Sequence, residues 1–460
     1  MKHTLLFLLL LQISSAFGQS SIQTFQEYSL QHGRAAIEKK YAEVNRRGEA
    51  SRTGFTDYVS YTIKKEAEAQ SLFPYLYQDE LLTAEVYLWV EQDGSPGLLL
   101  YQVTRMDQSF KRASYNLSES EKVVLKKVFG ESLARIDFSH LPRDEKGIVF
   151  YFQSSKKIAP DSYKAVLENL PDTTSSINLS GYRLREIPQE IYRFKNLRKL
   201  KLSDNLLSEI PRKLWKIKTL EELDLSQNIL ENTSLELRRN KRINSLNLQF
   251  NQLSQAPLKI HKLRNMQELF LGNNFLPDFE RQKLKRIRNL KNLNLYKASL
   301  TDLPASLKKS RRLEHLDLYY NRMQAPEFDF SGLKKLRTLA ISYNEMWRLP
   351  ETVGRLEYLE KLYAHHNKLN RLPELSTGIR LLDVGYNDFI KVPEWIGGLE
   401  NLEEADFSNC KLEELPLPLS RLPNLRVLTI SNNPLEFNTS QKDSYKKLVS
   451  ELKQRSVDVR

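Results

Sequence analysis

At 460 residues, with 40% apolar and 28% charged side chains, the chain is long enough for more than one packed domain and too apolar for a disordered tail. Its formal charge of +13 invites anionic partners, while a single cysteine excludes an intramolecular disulfide framework.

The first residues, MKHTLLFLLLLQISSAFGQS, combine a basic tip, an apolar run from Leu5 to Leu11 and the small residues Ala16 and Gly18. That order predicts a secretory signal peptide over 1–18, cleaved after Gly18. The apolar run falls well short of the roughly 20 residues a membrane span requires. No cysteine lies near residue 20 to carry a lipid, and no later segment is apolar enough to cross a bilayer. The expectation is a secreted or periplasmic protein, without lipoprotein or membrane anchor.

Residues 19–170 show no repeat and read as a small α+β domain. Ile22, Phe25 and Tyr28, followed by Ile37, Tyr41 and Val44, predict a helix from Ser21 to about Arg47. A second helix is expected over Phe55 to Lys65. The segment AEVYLWVEQDGSPGLLLYQVTR, Ala84 to Arg105, predicts a hairpin of two apolar strands around Asp93-Gly94-Ser95-Pro96-Gly97. Ser118 and Glu121 form a capping box ahead of Val123, Val124, Leu125 and Val128, and GIVFYFQSS supplies a last strand. Helix, hairpin, helix, strand resembles the carboxy-terminal domain of TonB-type proteins, with Glu91-Gln92-Asp93-Gly94 similar to that family's first hairpin. The anchor and Pro-rich spacer of that family are missing.

From Thr174 to about residue 437 a phrase of about 23 residues recurs, as in LRKLKLSDNLLSEIPRKLWKIKT, Leu197 to Thr219. Units open at Leu197, Leu220, Ile243, Met266, Leu290, Leu313, Leu336, Leu359, Ile379, Leu402 and Leu425. A degenerate first unit holds Ile177, Leu179, Leu184 and Ile187, making about twelve rungs. One unit is 24 residues long and one, from Leu359, only 20. Self-similarity at this period marks a solenoid whose units bury their apolar faces against their neighbours. Alternating pairs such as Leu200 and Leu202 fit a short strand with one face inward. An Asn closes the strand in most units, placed to satisfy backbone groups that turn inward. Tyr182, Ala298 and Cys410 replace it in three, so Cys410 reads as a ladder substitute. A Pro then punctuates the return stretch in many units.

With those positions in view, the chain resembles the leucine-rich repeat proteins over roughly three-fifths of its length. The resemblance implies an α/β solenoid, a leucine-rich repeat horseshoe with a parallel β-sheet on its concave face, preceded by the small α+β domain. The lack of Cys-rich caps is more similar to bacterial secreted or envelope members than to animal and plant ones. The family usually binds protein or peptide partners on the concave face, through its variable positions.

Those positions carry Phe250, Phe270, Tyr296, Tyr319, Tyr320, Tyr343, Tyr363 and Tyr386, with His365 and His366; Asp317, Asp383 and Asp406 flank them. Outward aromatics give large contact area at small entropic cost. The competing reading is that an aromatic before the Asn is simply a common way to write the strand end. Adjacent residues on a strand point apart, so His365 and His366 are not expected to chelate one ion without Glu360 or Asp383. No nucleophile, metal-spaced cluster or phosphate loop stands out, so the expected function is non-enzymatic binding without cofactor or metal. Basic residues gather on return segments, as in Arg238, Arg239, Lys241 and Arg242, and between Arg281 and Arg312 Asp302 is the one acid. The alternative is therefore an envelope structural or adhesive protein that holds glycan or anionic polymer through a basic convex surface; a specific nucleic acid is not expected. In the tail, residues 438–460, Tyr445, Leu448, Val449 and Leu452 share one face of a predicted capping helix.

Overall fold

The computed structural model describes residues 162–460 except 233–234, 258, 282–287 and 437–441, and before them five strands and scattered helical positions between Val59 and Leu133. The chain divides into two compact units, one built mainly from residues up to Leu170 and one running essentially from Pro171 to Arg460; Leu179–Pro188 and Ser203–Ser208 group with the first.

In the first unit, β1 (Ile22–Thr24), β2 (Leu81–Val90), β3 (Pro96–Met106), β4 (Arg112–Ser114) and β5 (Gly147–Gln153) form one sheet. Its order is β1-β3-β2-β5, with β4 on β3. The expected hairpin is present, antiparallel, with Val86 opposite Tyr101 and Leu88 opposite Leu99, but Pro96 and Gly97, expected in the turn, already belong to β3. These four side chains are fully buried, since residues two apart share a face. GIVFYFQ pairs with β2 as the expected last strand. Val59, Tyr61 to Ile63 and Lys65 are helical, as expected. One expectation fails: Ile22–Thr24 is not helical but pairs parallel with Leu99–Tyr101, where two β-branched residues suit a strand. The rest of that predicted helix and the Ser118 capping box lie outside the described residues, as does the predicted signal peptide. α1 (Ser162–Glu168) leads to the repeats.

Every repeat contributes a three-residue strand. They are β6 (Ser176–Asn178), β7 (Lys199–Lys201), β8 (Glu222–Asp224), β9 (Ser245–Asn247), β10 (Glu268–Phe270) and β11 (Asn292–Asn294). There follow β12 (His315–Asp317), β13 (Thr338–Ala340), β14 (Lys361–Tyr363), β15 (Leu381–Asp383), β16 (Glu404–Asp406) and β17 (Val427–Thr429). All are parallel, in strict chain order, within a 13-stranded sheet. The central residue of each strand, Leu223 for example, is buried between two side chains that face outward. The thirteenth strand, β18 (Asp458–Val459), was not foreseen. After α2 (Lys442–Gln454) the chain turns back and pairs with β17. Leu448 and Leu452 of α2 are buried, on the face the sequence indicated.

The strand-end Asn ladder works as its chemistry requires. Asn251 donates to the carbonyls of Leu225 and Leu248 at 3.0 and 3.1 Å and accepts from Leu230 N–H at 3.0 Å. Ala298 has no amide to offer, and there Leu276 N–H bonds the Ala298 carbonyl instead, at 3.0 Å. Cys410 sits buried in the ladder with its sulfur 3.6 Å from the carbonyls of Val384 and Ser408. Burial pushes its thiol up to about 11, which makes it a poor nucleophile. A second ladder, invisible in the repeat frame, lies just before the strands. There Asn265, Asn289, Asn401 and Asn424 donate to the carbonyls of Lys241, Arg264, Thr377 and Glu400, at 2.7 to 3.0 Å.

Pro304, Pro350, Pro393 and Pro416 each precede a five-residue 3-10 helix, at a position where no N–H is required. The 20-residue unit from Leu359 has no such helix after Pro373. There the Glu374 carbonyl lies against Gly354, where a Cβ would overlap that oxygen. Gly354→Ala is thus expected to destabilise the solenoid by about 1–3 kcal/mol, the usual cost of overpacking, read as a lower urea midpoint.

Charges alternate along the strand-entry edge: Arg198, Glu221, then Lys291, Glu314, Arg337, Glu360, Arg380, Glu403 and Arg426. Neighbours pair across rungs, at 3.9 Å for Arg198–Glu221 and Arg426–Glu403 and 3.7 Å for Lys291–Glu314, with Arg337–Glu360 and Arg380–Glu403 closer. Exposed pairs of this kind contribute about 0–1 kcal/mol each, so they set charge balance more than stability. The alternation lapses at Asn244 and Gln267.

Candidate functional site: an aromatic column on the sheet face

The residue before each ladder Asn leaves the strand with φ near +50°. Phe250, Lys297, Tyr320, Tyr343, His366 and Tyr386 all do so, as do Asp204, Gln227, Asn273, Asn409 and Asn432 at the equivalent place. A left-handed residue with a Cβ costs about 1–2 kcal/mol, and Asn or Asp relieves that best. The chain uses Asn or Asp at several rungs, so the fold does not demand aromatics at the others.

Four consecutive rungs nevertheless carry rings, and the rings stack. Tyr320 lies 4.2 Å from Tyr343 at 12°, Tyr343 lies 4.1 Å from His366 at 13°, and His366 lies 3.9 Å from Tyr386 at 18°. These separations are shorter than the ~4.8 Å between strands, as rings do when they converge on the inner side of a curved sheet. Lys297 Nζ lies 5.1 Å from the centre of the Tyr320 ring, over the first member of the column. At the far end Tyr386 is 48% exposed. Stacked pairs gain about 0.5–1.5 kcal/mol each, which roughly offsets the left-handed backbone and leaves little net stability to explain the column.

A second row runs beside it. Tyr296 and Tyr319 stack at 6.2 Å. Tyr319 Oη and His365 Nε2 meet at 2.7 Å across the intervening rung. Ser342 on that rung is fully buried and its Oγ has no partner. Tyr319 and His365 therefore arch over Ser342.

The structure corrects the expectation that His365 and His366 point apart. Their Nδ1 atoms are 2.8 Å apart and share one proton-mediated contact. The positive φ of His366 breaks the strand alternation and returns its ring to the face of His365. Burial, then His366, lowers the His365 pKa to about 4, so the imidazole is neutral at pH 7. Burial, then Asp406, raises Asp383 to about 6. Asp383 Oδ2 stands 3.8 Å from His365 Nε2, too far for a hydrogen bond. Asp317 accepts from Asn294 Nδ2 at 2.6 Å and from Tyr319 N–H at 3.0 Å, and burial raises its pKa. Among the described residues no group of three or more His, Cys, Asp and Glu side chains is placed to hold a metal ion.

Of the anticipated residues, Tyr296, Tyr319, Tyr320, Tyr343, His365, His366 and Tyr386 are joined by ring contacts, with Asp317 and Asp383 at their edge. Phe250 occupies an equivalent left-handed position, but Asn273 and Lys297 separate it from Tyr320. Phe270 and Tyr363 stand within β10 and β14, outside the column. Lys297 and Ser342 belong to the cluster and were not anticipated. Lys297 shares the position of the rings, a signal available in the repeat frame, whereas nothing in the sequence marks Ser342.

Asp383 supplies a pH-dependent prediction. The folded carboxyl keeps its proton up to about pH 6, whereas the ordinary value is 3.8. The folded chain therefore binds more protons between those values, and stability is lost as pH rises through that window. Asp383→Asn removes the buried charge. Its stabilisation is expected to be about 1–2 kcal/mol at pH 7.5, after discounting for partial exposure, and to vanish near pH 4. The opposite trend from His365 is present in both proteins and drops out of the difference. Urea titrations at the two pH values check it.

Residues 173–230 match the family model described as leucine rich repeat. No curated protein matches the chain. Among solved structures, one from the octameric complex that includes Latrophilin 3 and FLRT2 (LRR) aligns with a TM-score of 0.52 and 23% identity, over 62% of this chain and 90% of that one. An LRR protein of Leptospira interrogans aligns at 0.38 and 22%, over 66% of this chain and 100% of that one. An internalin of Listeria monocytogenes gives 0.37 and 17%, over 64% and 92%. At 23% identity the first of these likenesses supports the solenoid fold and nothing finer. No finding supports the TonB resemblance of the amino-terminal region.

Proposed function

We propose that this leucine-rich repeat protein is a non-enzymatic binding module that captures a protein or peptide on its sheet face, centred on Tyr320, Tyr343, His366 and Tyr386. Domains of this kind typically mediate protein–protein binding. The observation that carries the reading is the aromatic column itself. Four rings occupy left-handed positions that other rungs fill with Asn or Asp, at no net gain in stability. Because the rings stack face to face, they offer edges and hydroxyls along the column and one open face at Tyr386. That suits side chains of a polypeptide better than a sugar, which needs open ring faces. Half-buried Asp317 and Asp383 add acceptors for peptide N–H groups.

The test is a displayed random-peptide library panned on the full chain and, in parallel, on a Tyr320→Ala, Tyr343→Ala variant. Motifs enriched on the wild type and absent from the variant support the site; identical enrichment on both sinks it. The leader-like start supports an exported protein of the secretory pathway or cell envelope. Mass spectrometry of the exported chain should find an amino terminus at Gln19, and an intact Met1 in the exported form would refute cleavage.

A further inference from the structure

A basic recess, separate from the aromatic face, adjoins the edge where the alternating charges lapse. A cavity of about 900 Å³ is lined there by Arg198, Lys216, Lys218, Arg239, Lys241 and Arg242, with Glu221 the one acid. All six basic residues are exposed. Arg198 touches Glu221 at 3.9 Å, and the other five have no ion pair among the described residues. Trp215 also lines the cavity; it is 2% exposed and its buried Nε1–H has no partner. The floor is rigid. Buried Asn240 donates to the carbonyls of Trp215 and Ile217, and accepts from Arg242 and Ile243 N–H at 2.8 and 3.2 Å.

The cavity continues. A neighbouring one of about 410 Å³ shares Glu221 and Arg242 and runs on past Asn244, Asn265, Gln267 and Asn289 to Lys291 and Arg312. The side-chain amides of Asn244 and Gln267 make no hydrogen bond among the described residues. From Arg198 to Arg312 the trough crosses five rung intervals, about 24 Å at the strand spacing.

The geometry points to this trough as a binding site for a linear acidic polysaccharide, its carboxylates or sulfates on the Arg and Lys side chains and its hydroxyls on the Asn and Gln amides. Amides both donate and accept, which matches hydroxyls, and arginine forks match planar anionic groups. Single-stranded nucleic acid needs exposed rings for its bases, and the lone ring here is buried. A membrane presents its headgroups in a plane, whereas these cations line a recess.

The experiment measures binding of the full chain to polygalacturonate, heparin and neutral dextran at about 50 mM and 150 mM salt. Polygalacturonate and heparin distinguish carboxylate from sulfate as the recognised group. An Arg239→Ser, Lys241→Ser, Arg242→Ser variant is compared with a Lys308→Ser, Lys309→Ser, Lys334→Ser control that loses the same charge at exposed positions outside the trough. At least one acidic polymer is expected to bind and dextran not, with the trough variant weakened more than about tenfold and the control less than about threefold. Lys216→Ser with Lys218→Ser gives a second trough variant if the first misfolds. Equal weakening of trough and control variants, no binding to either acidic polymer, or equally tight binding of duplex DNA or anionic vesicles would each overturn the proposal. The Tyr320→Ala, Tyr343→Ala variant should bind the polymers as the wild type does, which keeps the fate of this site separate from that of the aromatic face.

Discussion

Asn321→Leu is expected to destabilise the repeat domain by about 4 kcal/mol or more, enough to unfold its neighbourhood near room temperature. Asn321 accepts from the N–H groups of Ala298 and Leu300, both at 3.0 Å, and donates to the carbonyls of Leu295 and Leu318 at 2.9 and 2.8 Å. Leucine matches the volume but strands all four backbone groups in the core. Each orphaned group costs about 1–3 kcal/mol, so even the low end consumes a large share of a typical 5–15 kcal/mol. Because Asn321 joins its own strand to the preceding rung, the loss should spread to neighbours. Urea titration with hydrogen exchange across residues 290–345 reads both effects. A change under 1 kcal/mol would show that water replaces the amide, as an exposed ladder would allow.

Removing two rings from the middle of the column is expected to weaken the selected peptide by about 100- to 1,000-fold. Tyr320→Ala with Tyr343→Ala deletes two residues that would each contribute about 2 kcal/mol at the centre of an interface. The backbone should hold, since alanine accepts the left-handed conformation no worse than tyrosine and the stacking given up is about 0.5–1.5 kcal/mol per pair. Calorimetric titration of the wild type and variant measures the change. The loss should persist at about 1 M salt, where charges are screened beyond about 3 Å. An unchanged affinity would mean that the rings are only one way of writing a strand end.

The two proposed sites are expected to differ in salt dependence, the trough weakening with salt and the aromatic face not, which separates them in practice. In the proposed reading the sheet face binds through rings and half-buried acceptors, and the trough through exposed cations. The bulk charge of +13 says nothing of this division. The cations that matter for the trough sit at the strand-entry edge and the adjoining return of one irregular repeat, where Asn240 replaces the usual apolar residue and fixes Trp215 beneath them.

The repeat period, the buried Leu positions and the Asn ladder were legible because each is a local demand repeated at every rung. Any residue that fails it, like Ala298 or Cys410, declares itself against its neighbours. The outward aromatics were legible for the same reason, as departures from the Asn and Asp of Asp204, Asn273 and Asn409 at the same position. What the sequence could not show is how side chains from different rungs meet. The stack from Tyr320 to Tyr386 needs both the left-handed φ of each residue and the convergence of the inner face. The arch of Tyr319 and His365 over Ser342 joins residues 46 apart, and β18 joins the sheet only after α2 has turned the chain back. The period is set by chain connectivity and burial, which act within one repeat. The proposed binding surfaces are set by contacts between repeats, and those exist only once the rungs are stacked.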